Sequence, residues 1–453
     1  MTGSDTSYNQ LPMRVFFSNL GCKLNQAEVE RLKRQFVDGG HELASSLVHA
    51  DLHVVNSCTV THVAARDSRK IVRRGRRLNP ALKTVLTGCH VNASPDEAAG
   101  IAEVDLVVPN EHKDDLLARV REAFPRSVRP LTSAPQNGVP YMPMHLVNTR
   151  TLVKIEDGCN MHCAFCVIPH TRGRQRSRTH DQVVDEVRSL AAAGFQEVVL
   201  TGVQISSYRW QGRGLFELVE AVLGRTGIPR LRLTSIAPWK FDQRLLDIFA
   251  SGRLCRHFHL SLQSGSDATL KRMRRPYTSD AFADLVGMIR ARVPAIAITT
   301  DIIVGFPGET EDEFRDSLDF TERMQFARVH AFPYSSRPHT EAATLSDHVA
   351  HHTKRERMKR MLLAGERAER AFWGEQLGTE VEILWERPWR GHWLGMTDNY
   401  IRVQTPVPQQ TNRLASARLE RIREHGVEVA DPHSRARLGN SSPPRPSTPS
   451  LHP

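Results

Sequence analysis

Over the first 125 residues, short apolar runs alternate with stretches of helical period. Residues 14–17, 51–55, 84–86 and 105–108 read as strands and the amphipathic stretches between them as helices, an alternation that predicts a parallel α/β sheet. One of these helices has marked ends: it opens at Asn25, with Glu28 three residues on as in a capping box, carries Val29, Leu32 and Phe36 on one face, and stops at Gly39 and Gly40. Residues 126–148 hold several prolines and no period, which predicts a linker. A second βα series follows, with candidate strands at 151–155, 197–200, 230–234, 257–262, 295–303 and 327–332. The intervals leave room for crossover helices, as at 179–193, where Val183, Val184, Val187 and Leu190 share a face. Six repeats predict a partial (β/α)6 barrel. Beyond a strongly charged helix at 353–373, alternating runs at 381–384, 400–403 and 427–429 predict a small antiparallel β module. The expected organisation is therefore an N-terminal parallel α/β unit (13–125), a linker (126–148), a central barrel (149–374), the β module (375–430) and a disordered tail (431–453) rich in Pro, Ser and Arg.

Composition narrows the class. With 453 residues, 40% of them apolar, the chain can build about three cores and is not a disordered polymer. Sixty-one Lys and Arg against 50 Asp and Glu leave a net charge of +11, which favours a polyanionic partner. No run approaches the roughly 18 apolar residues of a membrane helix, and the first residues lack the basic-then-apolar layout of a signal peptide. The expectation is a cytoplasmic protein with no membrane partner. Seven cysteines, an odd number, read as metal ligands before disulfides in that compartment.

Those cysteines cluster. Cys159, Cys163 and Cys166 follow the first barrel strand, in a loop at the barrel's C-terminal mouth, where chemistry sits in such folds. Closely spaced thiolates on one loop suit an iron–sulfur cluster, and three ligands in place of four leave one iron open to a substrate or cofactor. A zinc knot completed by His162 or His170 is the competing reading. Cys22, Cys58 and Cys89 each follow a predicted strand. Parallel strands end on one edge of a sheet, so these three thiols are expected to converge there, although each alone would read as a buried structural cysteine. Cys255 lacks such a context and receives no role.

The Cys-x3-Cys-x2-Cys run, with Phe165 before its last cysteine, resembles the signature of the radical S-adenosylmethionine (SAM) enzymes. The following Ile168-Pro169-His170-Thr171-Arg172-Gly173, with Ser177-Arg178, resembles one branch, the methylthiotransferases. Asn19-Leu20-Gly21-Cys22-Lys23-Leu24-Asn25-Gln26, Asn56-Ser57-Cys58-Thr59-Val60 and Thr87-Gly88-Cys89 resemble that branch's N-terminal domain, whose three cysteines hold an auxiliary four-iron cluster. The resemblance runs over about residues 13–430 and is closer to the tRNA threonylcarbamoyladenosine enzymes than to the isopentenyladenosine or ribosomal-protein ones. It implies two [4Fe-4S] clusters, one on Cys159, Cys163 and Cys166 and one on Cys22, Cys58 and Cys89. It also implies SAM on the open iron, an external electron donor, a sulfur source, and transfer of a methylthio group to carbon 2 of the modified adenosine at tRNA position 37.

Because the clusters would carry the hard chemistry, no side-chain acid–base pair is expected. Gly202, Gln263, Ser264, Asp301 and Val304 stand at barrel strand ends, where the resemblance and their polar groups suit a cofactor's amino acid and ribose. The second strand departs from the superfamily's common Gly-Gly-Glu, reading Leu200-Thr201-Gly202-Val203-Gln204, and so leaves open what holds the methionyl amino group. For RNA, the candidates are Arg69, Arg73 and Arg74 on the basic helix 62–78, whose competing reading is a solvated face, and Arg172 and Arg178 after the cluster loop. Trp393 and Tyr400 lie in the β module, which resembles the TRAM RNA-binding domain; they would stack on anticodon-loop bases. The rival functions are a methylthiotransferase for isopentenyladenosine tRNA or a ribosomal protein and, in a different class, a non-enzymatic metal-containing RNA-binding protein.

Overall fold

The structure, a computed structural model, describes residues 12–60, 62–125 and 149–430; the expected linker and tail lie outside them. Strands β1 (Arg14–Asn19), β2 (Glu42–Leu43), β3 (Leu52–Ser57), β4 (Lys83–Gly88) and β5 (Leu106–Val108) form an all-parallel sheet in the order β2-β1-β3-β4-β5. Helices α1 (Lys23–Asp38), α2 (His62–Leu78), α3 (Cys89–Ala93), α4 (Pro95–Ala99) and α5 (Leu116–Ala123) accompany it. Strand β3 is buried throughout, as a parallel strand covered on both faces must be. Leu32 and Phe36 of α1 pack on Val15, Leu52 and Val54. That helix starts two residues earlier than expected, with Cys22 as its N-cap and no side-chain cap. The capping box does not form because tertiary contacts claim its members: Asn25 Nδ2 donates to the carbonyls of Leu20 (2.7 Å) and Ser57 (3.0 Å), and Glu28 is buried among cations.

The central unit comprises β6 (Arg150–Lys154), β7 (Glu156–Asp157), α6 (Ile168–Arg172), β8 (Arg176–Ser177), α7 (His180–Ala192), β9 (Glu197–Thr201), α8 (Leu215–Arg225), β10 (Arg230–Leu233) and β11 (Ser235–Ile236). It continues through β12 (His257–Leu260), α9 (Asp267–Arg272), α10 (Ser279–Arg292), β13 (Ala297–Val304), α11 (Glu311–Met324), β14 (Arg328–Pro333) and α12 (His351–Gln376). The third barrel strand is interrupted at Thr234: β10 pairs with β9, and β11 pairs with β12. The barrel wall is thus two parallel sheets, β10-β9-β6 and β11-β12-β13-β14, with β6 and β14 as free edges. Helix α1 of the N-terminal unit lies against β6 and β9, where Ala27 meets Leu152 and Val199. Helix α12 covers β14. The charges on α12 are partly structural, since Arg357 pairs with Glu309 at 2.7 Å and both are buried.

Strands β15 (Glu380–Trp389), β16 (His392–Thr397), β17 (Arg402–Thr405), β18 (Arg413–Arg423) and β19 (Gly426–Val429) close into a small barrel, β15-β16-β17-β19-β18, around Trp385, Ile383, Ile401 and Val427. Its pairing is antiparallel as expected except for β17 with β19, which is parallel. This module docks on the N-terminal ends of the central strands. Arg232 donates to the carbonyls of Asp398 (3.0 Å) and Thr397 (3.1 Å), Arg256 pairs with Asp398 (2.6 Å), and the rings of His257 and Tyr400 stack 4.1 Å apart.

Candidate functional site

Cys22, Cys58 and Cys89 follow β1, β3 and β4, three neighbouring strands whose ends are in register: Asn19 pairs with Asn56, and Ser57 with Gly88. Gly21 and Gly88, each just before a cysteine, share a φ of +101°, the region glycine adopts without strain. A Cβ at Gly21 would stand 2.8 Å from Cys58 Sγ, and one at Gly88 would collide with the Ser57 backbone. Burial pushes the Cys58 thiol up to about 11, and Cys89 and Cys22 beside it add to the shift, so the three thiols share one electrostatic site. Cys22 is the N-cap of α1, at the positive end of the helix dipole.

The second triad lies at the C-terminal mouth of the barrel. Gly158, at φ +74°, lets the loop touch the Gly173–Arg174 backbone, where any Cβ would collide, and the Cys159 N–H donates to the Gly173 carbonyl at 3.1 Å. Cys159 Sγ accepts the Met161 N–H (3.4 Å) and lies 3.7 Å from Gln204 Oε1. Cys163 Sγ accepts from Arg275 Nη1 at 3.3 Å, and that guanidinium lies 4.8 Å from the centre of the Trp239 ring. Burial pushes the Cys166 thiol up to about 12, so it would lose its proton on binding metal. Among the described residues, no three His, Cys, Asp or Glu side chains converge at the spacing of one ion. A cube of iron and sulfur takes each thiolate on a different iron and does not need that convergence. Soft donors in two glycine-lined cradles therefore fit iron–sulfur clusters.

A buried ion network joins the two triads. Arg172, expected to reach toward RNA phosphates, is instead 2% exposed; it donates to Glu28 Oε1 (2.9 Å), Asp157 Oδ1 (2.9 Å) and Asn25 Oδ1 (2.5 Å). Lys113 reaches Glu28 at 2.7 Å, and Lys154 spans Glu28 (3.2 Å) and Asp157 (3.3 Å). Burial alone would raise the Glu28 carboxyl, but Arg172, Lys113 and Lys154 hold it well below the usual carboxylate range. Three cations on two carboxylates leave one positive charge in excess beside the thiols. Helix α6, which starts two residues after Cys166, packs on α3, which begins at Cys89. The triads are thus one helix pair apart.

The expected cofactor residues divide. Asp301 is partly exposed and fixed by His259 Nε2 at 3.1 Å, with His259 Nδ1 on Thr299 Oγ1 at 3.0 Å. Gln263, at φ +73°, uses its backbone to bridge Asp301 and Ile303. Ser264 and Val304 are buried, the hydroxyl of Ser264 taken by the Ser266 N–H and the carbonyl of Val304 by Tyr334, so neither offers appreciable surface to a cofactor. Gly202 is backed by Glu156, with which a Cβ would collide. Glu156 Oε1 accepts the Gln204 N–H at 2.5 Å, while Oε2 is buried without a partner among the described residues, and burial pushes this carboxyl up to about 8. A carboxyl therefore does stand at the second strand's end, delivered from the first strand, where periodicity cannot reveal it. Arg275 and His259 are further residues that sequence reasoning did not single out, for the same reason.

Of the RNA candidates, Arg73 and Arg74 are exposed on α2, Arg69 pairs with Glu97 (2.6 Å), and Arg178 pairs with Glu186 (2.6 Å). Trp393 is half-buried against the core of the small barrel. Tyr400 does not offer a free ring face for a base: it stacks on His257, with Arg232 5.5 Å from its ring centre.

The profile of the radical SAM superfamily matches residues 153–321, and that of uncharacterized protein family UPF0004 matches residues 14–109. The threonylcarbamoyladenosine tRNA methylthiotransferase MtaB of Aquifex aeolicus is 36% identical over 409 residues, covering 89% of this chain and 99% of its own. Its namesake in Bacillus subtilis is 34% identical, covering 86% of this chain and 89% of its own. The tRNA-2-methylthio-N(6)-dimethylallyladenosine synthase of Methylacidiphilum infernorum is 34% identical, covering 82% and 84%. Among solved structures, the radical S-adenosylmethionine methyltransferase TsrM of Kitasatospora setae shares the fold over 74% of this chain and 77% of its own, at a TM-score of 0.55 and 18% identity.

Proposed function

Since the chain belongs to the radical SAM tRNA methylthiotransferases, we propose that it adds a methylthio group to carbon 2 of N6-threonylcarbamoyladenosine at position 37 of tRNA. Cys159, Cys163 and Cys166 would hold the [4Fe-4S] cluster that binds SAM, and Cys22, Cys58 and Cys89 a second, auxiliary one. When bound, the clusters and SAM supply the radical and sulfur-transfer chemistry. The protein's own tasks are orientation and charge. Arg275, donating to Cys163 Sγ, orients that ligand. Glu156, whose Oε1 backs Gly202 and whose Oε2 is buried without a partner among the described residues, is the group for the methionyl ammonium. Asp301, held by His259, presents a carboxylate to ribose hydroxyls. Arg74, exposed on α2, and Arg73, held only by a 4.0 Å ion pair with Glu103, would track phosphates.

The observation that carries this reading is the network through Arg172, which locks the segments bearing the two thiol triads to each other. A substrate atom held between them would be within reach of both a radical and a sulfur donor. Residues 13–125 form the auxiliary-cluster unit, 149–374 the radical unit and 375–430 the RNA-binding module. An external electron donor and a sulfur source complete the reaction, in the cytoplasm where tRNA resides; among the described residues no helix is long and apolar enough to cross a membrane.

Mass spectrometry of tRNA nucleosides from cells with and without the gene tests the reading. Loss of the methylthio form of threonylcarbamoyladenosine, with its parent accumulating, is the expected result. Loss of the dimethylallyl counterpart alone would assign the activity of the 34%-identical synthase instead. No change in any nucleoside would move the substrate to a protein.

A further inference from the structure

A cleft of about 650 Å3, within the size range of small-ligand sites, opens where the N-terminal unit, the radical barrel and the small C-terminal barrel meet. Five cations line it, Lys23, Arg150, Arg232, Arg387 and Arg402, against one carboxylate, Glu386. Two of the five are committed: Arg150 pairs with Glu386 at 2.6 Å, and Arg232 with the buried Glu197 at 2.7 Å. Among the described residues, Lys23, Arg387 and Arg402 form no ion pair. Lys23 lies over the Tyr400 ring, 5.9 Å from its centre, and Arg402 acts on Glu369 at longer range.

Lys23 directly follows Cys22 in the chain. Its charge helps hold the carboxyl of Asp301, at a barrel strand end, below its ordinary range, and does the same to the Tyr400 phenol. Lys23 is exposed, and its ammonium stands in the cleft lining on the side of the Tyr400 ring. Cations converging on one cleft repel each other until an anion arrives, which is the electrostatic form of an anion receptor. Leu152 and Val199 supply apolar wall and Trp389 an aromatic edge, a lining suited to a base with an acidic side arm rather than to a bare inorganic ion.

We infer that this cleft receives the side arm on N6 of the target adenosine, with Lys23 meeting the arm's carboxylate and Arg402 and Arg387 supporting it. The inference rests on the reading above and deepens it. A threonylcarbamoyl arm ends in a carboxylate and a dimethylallyl arm has none, so an unpaired ammonium separates the two substrates by leaving a charge unmatched in the wrong complex. An RNA phosphate offers the same cations similar chemistry, and the test separates the two sources.

The test uses the full chain with its clusters reconstituted and three anticodon stem-loop RNAs, carrying at position 37 threonylcarbamoyladenosine, its methyl ester, or dimethylallyladenosine. Affinity is read by fluorescence anisotropy and methylthiolation by mass spectrometry. The wild-type chain is expected to bind the acid more tightly than the ester by about ten- to a hundredfold, the worth of one charge-assisted hydrogen bond. Lys23→Met should remove that preference and leave affinity for the ester where it was, which also shows that the variant folds; Lys23→Arg should keep most of the preference. Arg402→Met should reduce it in part. Equal weakening of acid and ester by Lys23→Met would overturn the inference in favour of a phosphate contact, and an undiminished preference would overturn it outright. A wild-type chain that methylthiolates only the dimethylallyl RNA would overturn the functional reading itself, and the inference with it.

Discussion

Arg172 shows what one side chain does when its neighbours set its role. In the sequence it stands in a run with Arg174, Arg176 and Arg178 and reads as part of a basic surface. In the fold only Arg172 turns inward, because Glu28 and Asp157, from two different units, leave buried carboxylates that need a planar, permanently charged partner. Removing one member of such a network leaves a charge buried and unpaired, so Arg172→Met should destabilise the fold by about 3–5 kcal/mol. The midpoint of urea unfolding checks this; a change under about 1 kcal/mol would mean that water replaces the guanidinium at no cost. Replacing Arg174, which is exposed and forms no ion pair among the described residues, should change stability by less than about 0.5 kcal/mol.

At the level of elements, the strand ends divide the labour. The C-terminal ends carry chemistry, while the N-terminal ends of β9 and β10 carry Glu197, Arg230 and Arg232, on which the small barrel is seated. Burial would raise the Glu197 carboxyl, but Arg232 and Arg230 outweigh it and bring it down to about 2. The sign follows: between the ordinary value of 4.5 and 2 the unfolded chain takes up a proton that the folded chain refuses. The stability of this junction should be full above about pH 4.5 and fall as pH drops towards 2. Acid unfolding followed by Trp fluorescence checks it, with Glu197→Gln expected to flatten that part of the curve. The same level explains why the start of α1 moved: local rules offered Asn25 and Glu28 as a cap, but burial across a unit boundary used both for something stronger.

For the whole molecule, the two thiol triads belong to different units and meet only because α3 packs on α6 and α1 lies against the barrel wall. A division of labour follows. Cys163→Ala should abolish reductive cleavage of SAM, while Cys58→Ala should spare part of it and prevent sulfur transfer; equal and complete loss of cleavage in both, after separate reconstitution, would contradict the assignment. What the sequence determined by itself was whatever depends on neighbours along the chain. This covers the alternation of strands and helices, the edge on which Cys22, Cys58 and Cys89 would emerge, and the tight spacing of Cys159, Cys163 and Cys166 on one loop. Periodicity and strand direction are local properties, and parallel strands carry them faithfully to one edge. The tertiary structure alone decided which charges are buried, that Glu156 supplies the carboxyl at another strand's end, that Tyr400 faces a histidine instead of solvent, and that Lys23 stands beside the cleft with no ion pair among the described residues. These depend on which residues meet across tens or hundreds of positions. The cost of burying a charge, absent from any local pattern, then selects the partner.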